Sequence, residues 1–321
     1  MLVISEDVCK KVVGRDDAFA AVEAVFAAMT NGEAYNFPVI REAIGYADAL
    51  YGFKSGFDRA DLSLGLKSGG YWPGNTKKGL TNHQSTIFLF DPDTGQLQAL
   101  VGGNYLTAVR TAAASAVSIA LLARQDARIL GIVGAGHQST FQLRAALEQR
   151  NFEKIIAWNH HSEKLSALAE IAAEVGLPFE SVDQQQLASE ADVIITITSA
   201  HEPLLMDAWI RLGTHIACMG TDTKGKQEMD PQIATRSTLF TDEIAQSVSI
   251  GEFQHATATG LINSTAITPI GAVITGKHPG RISDNEITIF DGTGVGLQDL
   301  AVANSAAKLA EEKGLAQIIA L

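Results

Sequence analysis

From residue 127 to about residue 290, short apolar runs alternate with helical patterns, and this rhythm limits the fold more than any other feature of the chain. The apolar runs lie at 128–133, 154–158, 179–182, 193–198, 215–219, 239–241 and 286–290, with helical patterns between several of them, first at 138–150 and 163–175. Short continuous apolar strands separated by helices predict an α/β fold with a parallel sheet covered on both faces. A last helix is expected over about 297–313, after the Gly-rich DGTGVG.

The first apolar run ends in GIVGAGHQS, residues 131–139. Gly134 permits a tight turn, and Gly136 lets the backbone approach a pyrophosphate. The N–H groups that open the following helix favour an anion. The third glycine of the usual dinucleotide fingerprint is replaced by Ser139. An ordinary strand-to-helix turn would share the Gly-x-Gly, but the strand before, the helix after and the second strand beyond favour a dinucleotide. That second strand ends at Asn159, followed by His160 and His161. It offers neither an acid for a ribose 2′-hydroxyl nor an Arg for a 2′-phosphate. Asn can still bond a hydroxyl, so NAD(H) is expected in preference to NADP(H).

The first 126 residues read differently. Residues 15–31 form an amphipathic helix, capped by Asp16 or Asp17, with Phe19, Val22, Val25, Phe26 and Met29 on one face and Gly32 at its end. Residues 37–101 are β-branched and aromatic runs broken by Gly, Pro and Asn, and STIFLFDPDTGQLQALVG reads as two strands joined by a turn. The apolar helix over 105–123 carries Arg110 and several Ser and Thr, which marks it as buried in protein rather than as a membrane span. A net charge of −12 argues against a broad nucleic-acid surface. Cys9 and Cys218 are too far apart in sequence to suggest a disulfide framework, and no metal site is expected. The acids near the start are unlike a secretory signal, and a cytoplasmic protein is expected.

Arg41, Lys67 and Arg110 each sit in or beside an apolar stretch. Burying a cation is costly unless an internal acid or an anionic ligand meets it. For one such residue an internal salt bridge is the simpler reading; three together point to a carboxylate pocket. Read alone, Asp222 is a turn cap, His83 a turn histidine, Lys224 and Lys226 solvated loop lysines, and Tyr71 and Trp72 packing residues at a core edge.

LTAVRTAAASAVSIALLA, GIVGAGHQSTFQLRAAL and HIACMGTDTKGKQE together resemble the ornithine cyclodeaminase and mu-crystallin family, over nearly the whole chain. The resemblance implies a Rossmann-type dinucleotide-binding domain over 124–299. It also implies an α+β substrate-binding and dimerisation domain built from both chain ends, 1–123 and 300–321, and hence a homodimer. Arg41, Lys67 and Arg110 would bind the substrate α-carboxylate, with Lys67 also serving in proton transfer. Asp222 would be the catalytic acid at the substrate nitrogen. Thr111, Gly134, Gly136, His137, Gln138 and Asn159 would contact the cofactor, as would Thr198, Ser199 and Gly294 near the ribose and nicotinamide. Asn159 departs from the acid that many members carry there. Within the family, YNFPVIREAIG, LKSGGYWP and GTDTKGKQE are most similar to the branch that reduces iminosuccinate to aspartate in the β-hydroxyaspartate cycle. That implies NADH-dependent reduction of an α-imino acid, with His83, Tyr71 or Lys224 as candidates for the second carboxylate. The alternatives are an ornithine cyclodeaminase, an alanine dehydrogenase or ketimine reductase, and a mu-crystallin-like nicotinamide-dependent binding protein.

Overall fold

A computed structural model describes residues 1–320. Two compact units divide the chain, one formed by Met1–Arg110 with the stretch from Val295 onward, the other by Thr111–Gly294.

The first unit holds a mixed sheet of β1 (Leu2–Ile4), β2 (Ala34–Asn36), β3 (Ile40–Ala43), β4 (Leu50–Asp58), β5 (Ser63–Tyr71), β6 (His83–Phe90) and β7 (Leu97–Gly102). Its order is Gln317–Ile318, β1, β7, β6, β5, β4, β2, with β3 pairing the free part of β4. The β6–β7 hairpin is the one expected from sequence. Its turn is held by Asp91, which accepts from the Asp93 and Thr94 amides at 2.9 and 2.8 Å. Helix α1 spans Glu6–Val12 and α2 spans Arg15–Thr30. α2 buries Val22, Val25 and Phe26 as its periodicity predicts; its N-cap is Gly14, and Asp17 accepts from the Gly14 amide at 2.8 Å.

The C-terminal helix Gly296–Glu312 packs on α2, β4 and β5. Strand glycines make this possible. A Cβ at Gly56 would lie 3.0 Å from a Leu297 methyl, and one at Gly65 would lie 2.9 Å from Leu300. The helix therefore belongs to the first unit from its first turn, and the division falls at 294/295 rather than the expected 299/300. The other division falls inside α3 (Asn104–Leu122), at 110/111 rather than 123/124, because Arg110 is held by groups of the first unit. α3 is long and apolar enough to cross a membrane by length and composition, but most of it is buried in protein.

The second unit holds an all-parallel sheet of β8 (Ile129–Val133), β9 (Lys154–Trp158), β10 (Phe179–Ser181), β11 (Val193–Thr196), β13 (His215–Cys218), β15 (Ser237–Thr241), β16 (Ile267–Pro269) and β17 (Ile287–Asp291). A separate pair joins β12 (His201–Leu205) to β14 (Gln227–Met229). Helices α4 (His137–Leu147), α5 (Ser166–Glu174) and α6 (Gln184–Glu190) fall among the early strands. The sheet order is β10-β9-β8-β11-β13-β17-β15-β16. Its first five strands run third-second-first-fourth-fifth, the Rossmann order, which reverses direction between β8 and β11. Ligands of such sheets bind at the carboxyl ends of the strands beside that reversal. Ile156, Ile194, Ile216 and Ile289 are fully buried in the core, as strands covered on both faces require.

Candidate active site

In the first unit, Lys67 on β5 and Arg110 on α3 converge on one buried acid. The Lys67 ammonium lies 2.7 Å from Asp299 Oδ2, and Arg110 Nε lies 2.9 Å from Asp299 Oδ1. Lys67 also donates to Thr107 Oγ1 at 3.3 Å, and Arg110 Nη1 donates to Gln298 Oε1 at 3.0 Å. Asp299 is fully buried in the first turn of the C-terminal helix. Sequence reasoning missed it, although both of its readings for a buried cation apply here. An internal acid is present, yet one carboxylate meets two cations.

Burial pushes the Lys67 ammonium down to about 7; Asp299 opposes that shift, and the neighbouring charges of Arg110 and Lys54 add to it. Asp299 itself is held below the usual carboxylate range by Arg110 and Lys67, against its burial. His83, at the start of β6, is pushed down to about 3 by burial and then by the Lys67 charge. With no bound anion beside it, this leaves a neutral imidazole near neutral pH. Arg41 lies on β3 with its residue exposed, unlike the two buried cations. Tyr71 is exposed and its hydroxyl accepts from Asn82 Nδ2 at 3.2 Å; Trp72 packs near Tyr51, the rings 6.4 Å apart.

In the second unit the glycine turn follows β8. Gly134 has φ +116°, and a Cβ there would lie 2.6 Å from the Ile197 carbonyl oxygen, so only glycine fits. Gly136 is the N-cap of α4, with no side-chain cap and no acid in the first turn. A Cβ at Gly136 would meet nothing within 4 Å, which leaves the helix N-terminus open to a phosphate. Ser139 explains the absent third glycine: it is buried, and its hydroxyl returns to the Gly136 carbonyl at 2.7 Å. His137 meets Phe141 edge to face with ring centres 5.3 Å apart, and partial burial lowers its proton affinity. Gln138 follows it, with its side-chain oxygen buried. Asn159 accepts from the Ala135 amide at 3.2 Å and donates to the His161 carbonyl at 2.8 Å, so it ties the end of β9 to the turn. His160 and His161 are exposed. Thr111 is buried on α3.

The strand-end loops of this unit are tied together by buried acids that the sequence did not single out. Glu228 accepts from Thr196 Oγ1 at 2.7 Å, from the Thr198 amide and hydroxyl at 2.6 and 2.7 Å, and from the Gly220 amide at 3.0 Å. Glu252 accepts from the Glu228 and Met229 amides, both at 2.8 Å, and pairs with the Thr221 hydroxyl. Asp242 accepts from the Thr293 and Gly294 amides at 3.1 and 2.8 Å. Thr198 and Gly294 are thus fixed by named carboxylates, while Ser199 is exposed beside them. Burial raises Glu228; it raises Glu252 further, with the Glu228 charge adding, and lifts Asp291 to about 8. Asp222 follows β13, and its Oδ1 lies 2.7 Å from the Lys226 ammonium, which also donates to the Gly220 carbonyl at 3.1 Å. Lys226 is therefore a partner of the proposed acid rather than a solvated loop lysine, whereas Lys224 is exposed.

The model of the ornithine cyclodeaminase/mu-crystallin family matches residues 1–314. The chain belongs to this family. Iminosuccinate reductase of Paracoccus denitrificans is 62% identical over 317 residues, covering 99% of both chains. The crystal structure of that enzyme in complex with NAD+ superposes with a TM-score of 0.96 and 61% identity, over 100% of this chain and 99% of that one. A more distant member, Δ1-pyrroline-2-carboxylate reductase of Thermococcus litoralis in complex with NADH and L-proline, matches with a TM-score of 0.94 at 29% identity, over 99% of this chain and 100% of that one.

Proposed function

We propose that this protein is an NADH-dependent imine reductase that converts iminosuccinate to aspartate. The observation that carries the reading is the buried cluster of two cations on one acid: Lys67 and Arg110 on Asp299. With Lys67 protonated, it retains a positive charge for a substrate carboxylate after its internal acid is counted. The similarity to the Paracoccus reductase and its NAD+ complex supports the choice of substrate and cofactor.

The residues fit a dinucleotide. The Gly134–Gly136 turn and the uncapped start of α4, at His137 and Gln138, would cradle the pyrophosphate. Thr111, Asn159, Thr198, Ser199 and Gly294 are the further cofactor contacts we assign. Asn159 with no Lys or Arg at 160–162 favours a free 2′-hydroxyl, hence NADH over NADPH. When bound, NADH supplies the hydride. Lys67 and Arg110 hold the α-carboxylate and so fix the imino carbon, which is catalysis by orientation. Arg41 assists at the same carboxylate from β3. A protonated imine accepts hydride far better than a neutral one, so an acid at the nitrogen matters. The Asp222 carboxylate, held by Lys226, stabilises that iminium charge. Lys67, titrating near neutrality, is suited to move a proton. The balance is iminosuccinate, NADH and one proton to aspartate and NAD+.

Assembly as a homodimer is part of the proposal. Tyr35, Ile40, Tyr51 and Phe53 share one face of β2, β3 and β4, and all are exposed, Ile40 by 53%. An apolar sheet face of this kind suits a second copy of the chain. Sedimentation should give a dimer, and Phe53→Glu a monomer; a monomeric wild-type protein would overturn this part.

The activity is tested with oxaloacetate, ammonia and NADH at alkaline pH, where iminosuccinate forms in solution. Aspartate should appear with equimolar loss of NADH. Release of ammonia and proline from ornithine without net change in NADH would assign the protein to the cyclodeaminases instead.

A further inference from the structure

We propose that Lys54 receives the second carboxylate of the substrate and makes the site selective for dicarboxylic imino acids. The inference rests on the imine-reductase reading above and names the group that reading leaves unassigned. In the antiparallel ladder of β4 and β5, Lys54 stands directly opposite Lys67. Residues opposite one another project to the same face about 5 Å apart. The flanking pairs on that face are Gly52 with Gly69 and Gly56 with Gly65, so no other β4 or β5 side chain stands between the two ammonium groups and their surroundings. Arg41 pairs with Gly52 across β3 and β4 and therefore shares the face. This is the face the C-terminal helix covers, since Leu297 and Leu300 approach Gly56 and Gly65 there.

Like charges placed directly opposite in a sheet repel. The repulsion is felt at Lys67, and the Lys54 charge also reaches Asp299. With Arg41 on the same face, the sheet gathers three cationic residues in one place, an arrangement suited to more than one anionic group on a substrate. A monocarboxylate anchored on Lys67 and Arg110 leaves Lys54 with no substrate charge to meet. A four-carbon diacid brings its second carboxylate within the span of one cross-strand pair. Two of the candidates named from sequence carry no charge to offer, and Lys224 is an exposed loop residue outside this sheet face. His83 is neutral, and the Tyr71 hydroxyl, which is uncharged, lies at the exposed end of β5.

The test compares reduction of the imines formed from oxaloacetate and from pyruvate with ammonia. In Lys54→Met, which keeps the apolar stem, the ratio of kcat/KM for the dicarboxylic over the monocarboxylic imine should fall by roughly tenfold to a hundredfold, the loss of one charge-assisted contact. Lys54→Arg should keep most of the ratio, and the KM for NADH should stay within twofold in both. A parallel loss on both substrates, or no change in the ratio, overturns the proposal. A second readout needs no catalysis. Protein loaded with NAD+ should bind succinate more tightly than propionate, and equal affinities would also overturn it. If the wild-type protein reduces neither imine, the function reading fails, while the role of Lys54 is still decided by whether Lys54→Met loses the preference for succinate over propionate.

Discussion

At the scale of residues, the site turns on how one acid is shared by two cations. Lys67→Ala and Arg110→Ala should each lower kcat/KM by roughly ten- to a hundredfold, because charge-assisted contacts to a carboxylate contribute about 1.5–3 kcal/mol. NADH binding, followed by fluorescence titration, should survive both changes; near-normal kcat/KM in both would remove the pocket. The Lys67 ammonium at about 7 gives a pH dependence with a definite sign. Its charge is present below that value and lost above it, so affinity for succinate should fall as pH rises through neutrality. Bound carboxylate moves the transition upward by favouring the charged form. In Lys67→Arg the fall should vanish, which isothermal titration across pH 6–9 can read. The same shift bears on stability. Between about 7 and the ordinary lysine value of 10.5, the unfolded chain binds the proton more tightly than the folded one. This residue's contribution to stability therefore rises with pH across that window. Sequence alone placed Lys67 and Arg110 as cations needing partners. Asp299 was not legible, because it lies 189 residues from Arg110 and an Asp in a C-terminal helix reads as solvated. Lys54 was hidden for the same reason, since a lysine in YGFKSGF reads as a surface residue until the strand register sets it against Lys67.

At the scale of elements, the strand–turn–helix unit around Gly134 was the most legible part of the chain, because its signal is local. The two glycines do different work, and their variants should separate. Gly134→Ala puts a Cβ against the Ile197 carbonyl at a positive φ, so thermal stability should drop by about 1–3 kcal/mol or more. Gly136→Val has an extended backbone and open space, so its melting temperature should hold within a few degrees. It should nonetheless weaken NADH at least roughly tenfold by occupying the approach to the helix N-terminus. Equal NADH affinity in Gly136→Val and wild type would contradict the assignment of that turn. The acids that fix the other loops escaped the sequence reading. Glu228 lies in KGKQE, among charged residues that suggest a solvated loop, yet it is fully buried and gathers four donors. Glu228→Ala orphans those donors and should cost roughly 2–4 kcal/mol in denaturant unfolding. A cost under half a kcal/mol would mean that the loops hold themselves. β16 was missed because a three-residue strand ending in Pro269 carries no periodicity of its own.

At the scale of the whole molecule, the change in rhythm near residue 127 announced two architectures, and the parallel order of the second follows from its strand–helix alternation. Where the units divide was less legible. Helix periodicity continues through Arg110 and through Val295–Asp299, whereas the division depends on which sheet each side chain meets. The activity proposed for the whole chain is hydride transfer to a dicarboxylic imine. It is tested most directly by mixing the purified protein with oxaloacetate, ammonia and NADH, then measuring aspartate by chiral chromatography against NADH consumed. One enantiomer of aspartate should form, one-for-one with NAD+. No aspartate above the enzyme-free control, under conditions where the protein binds NADH, would contradict it.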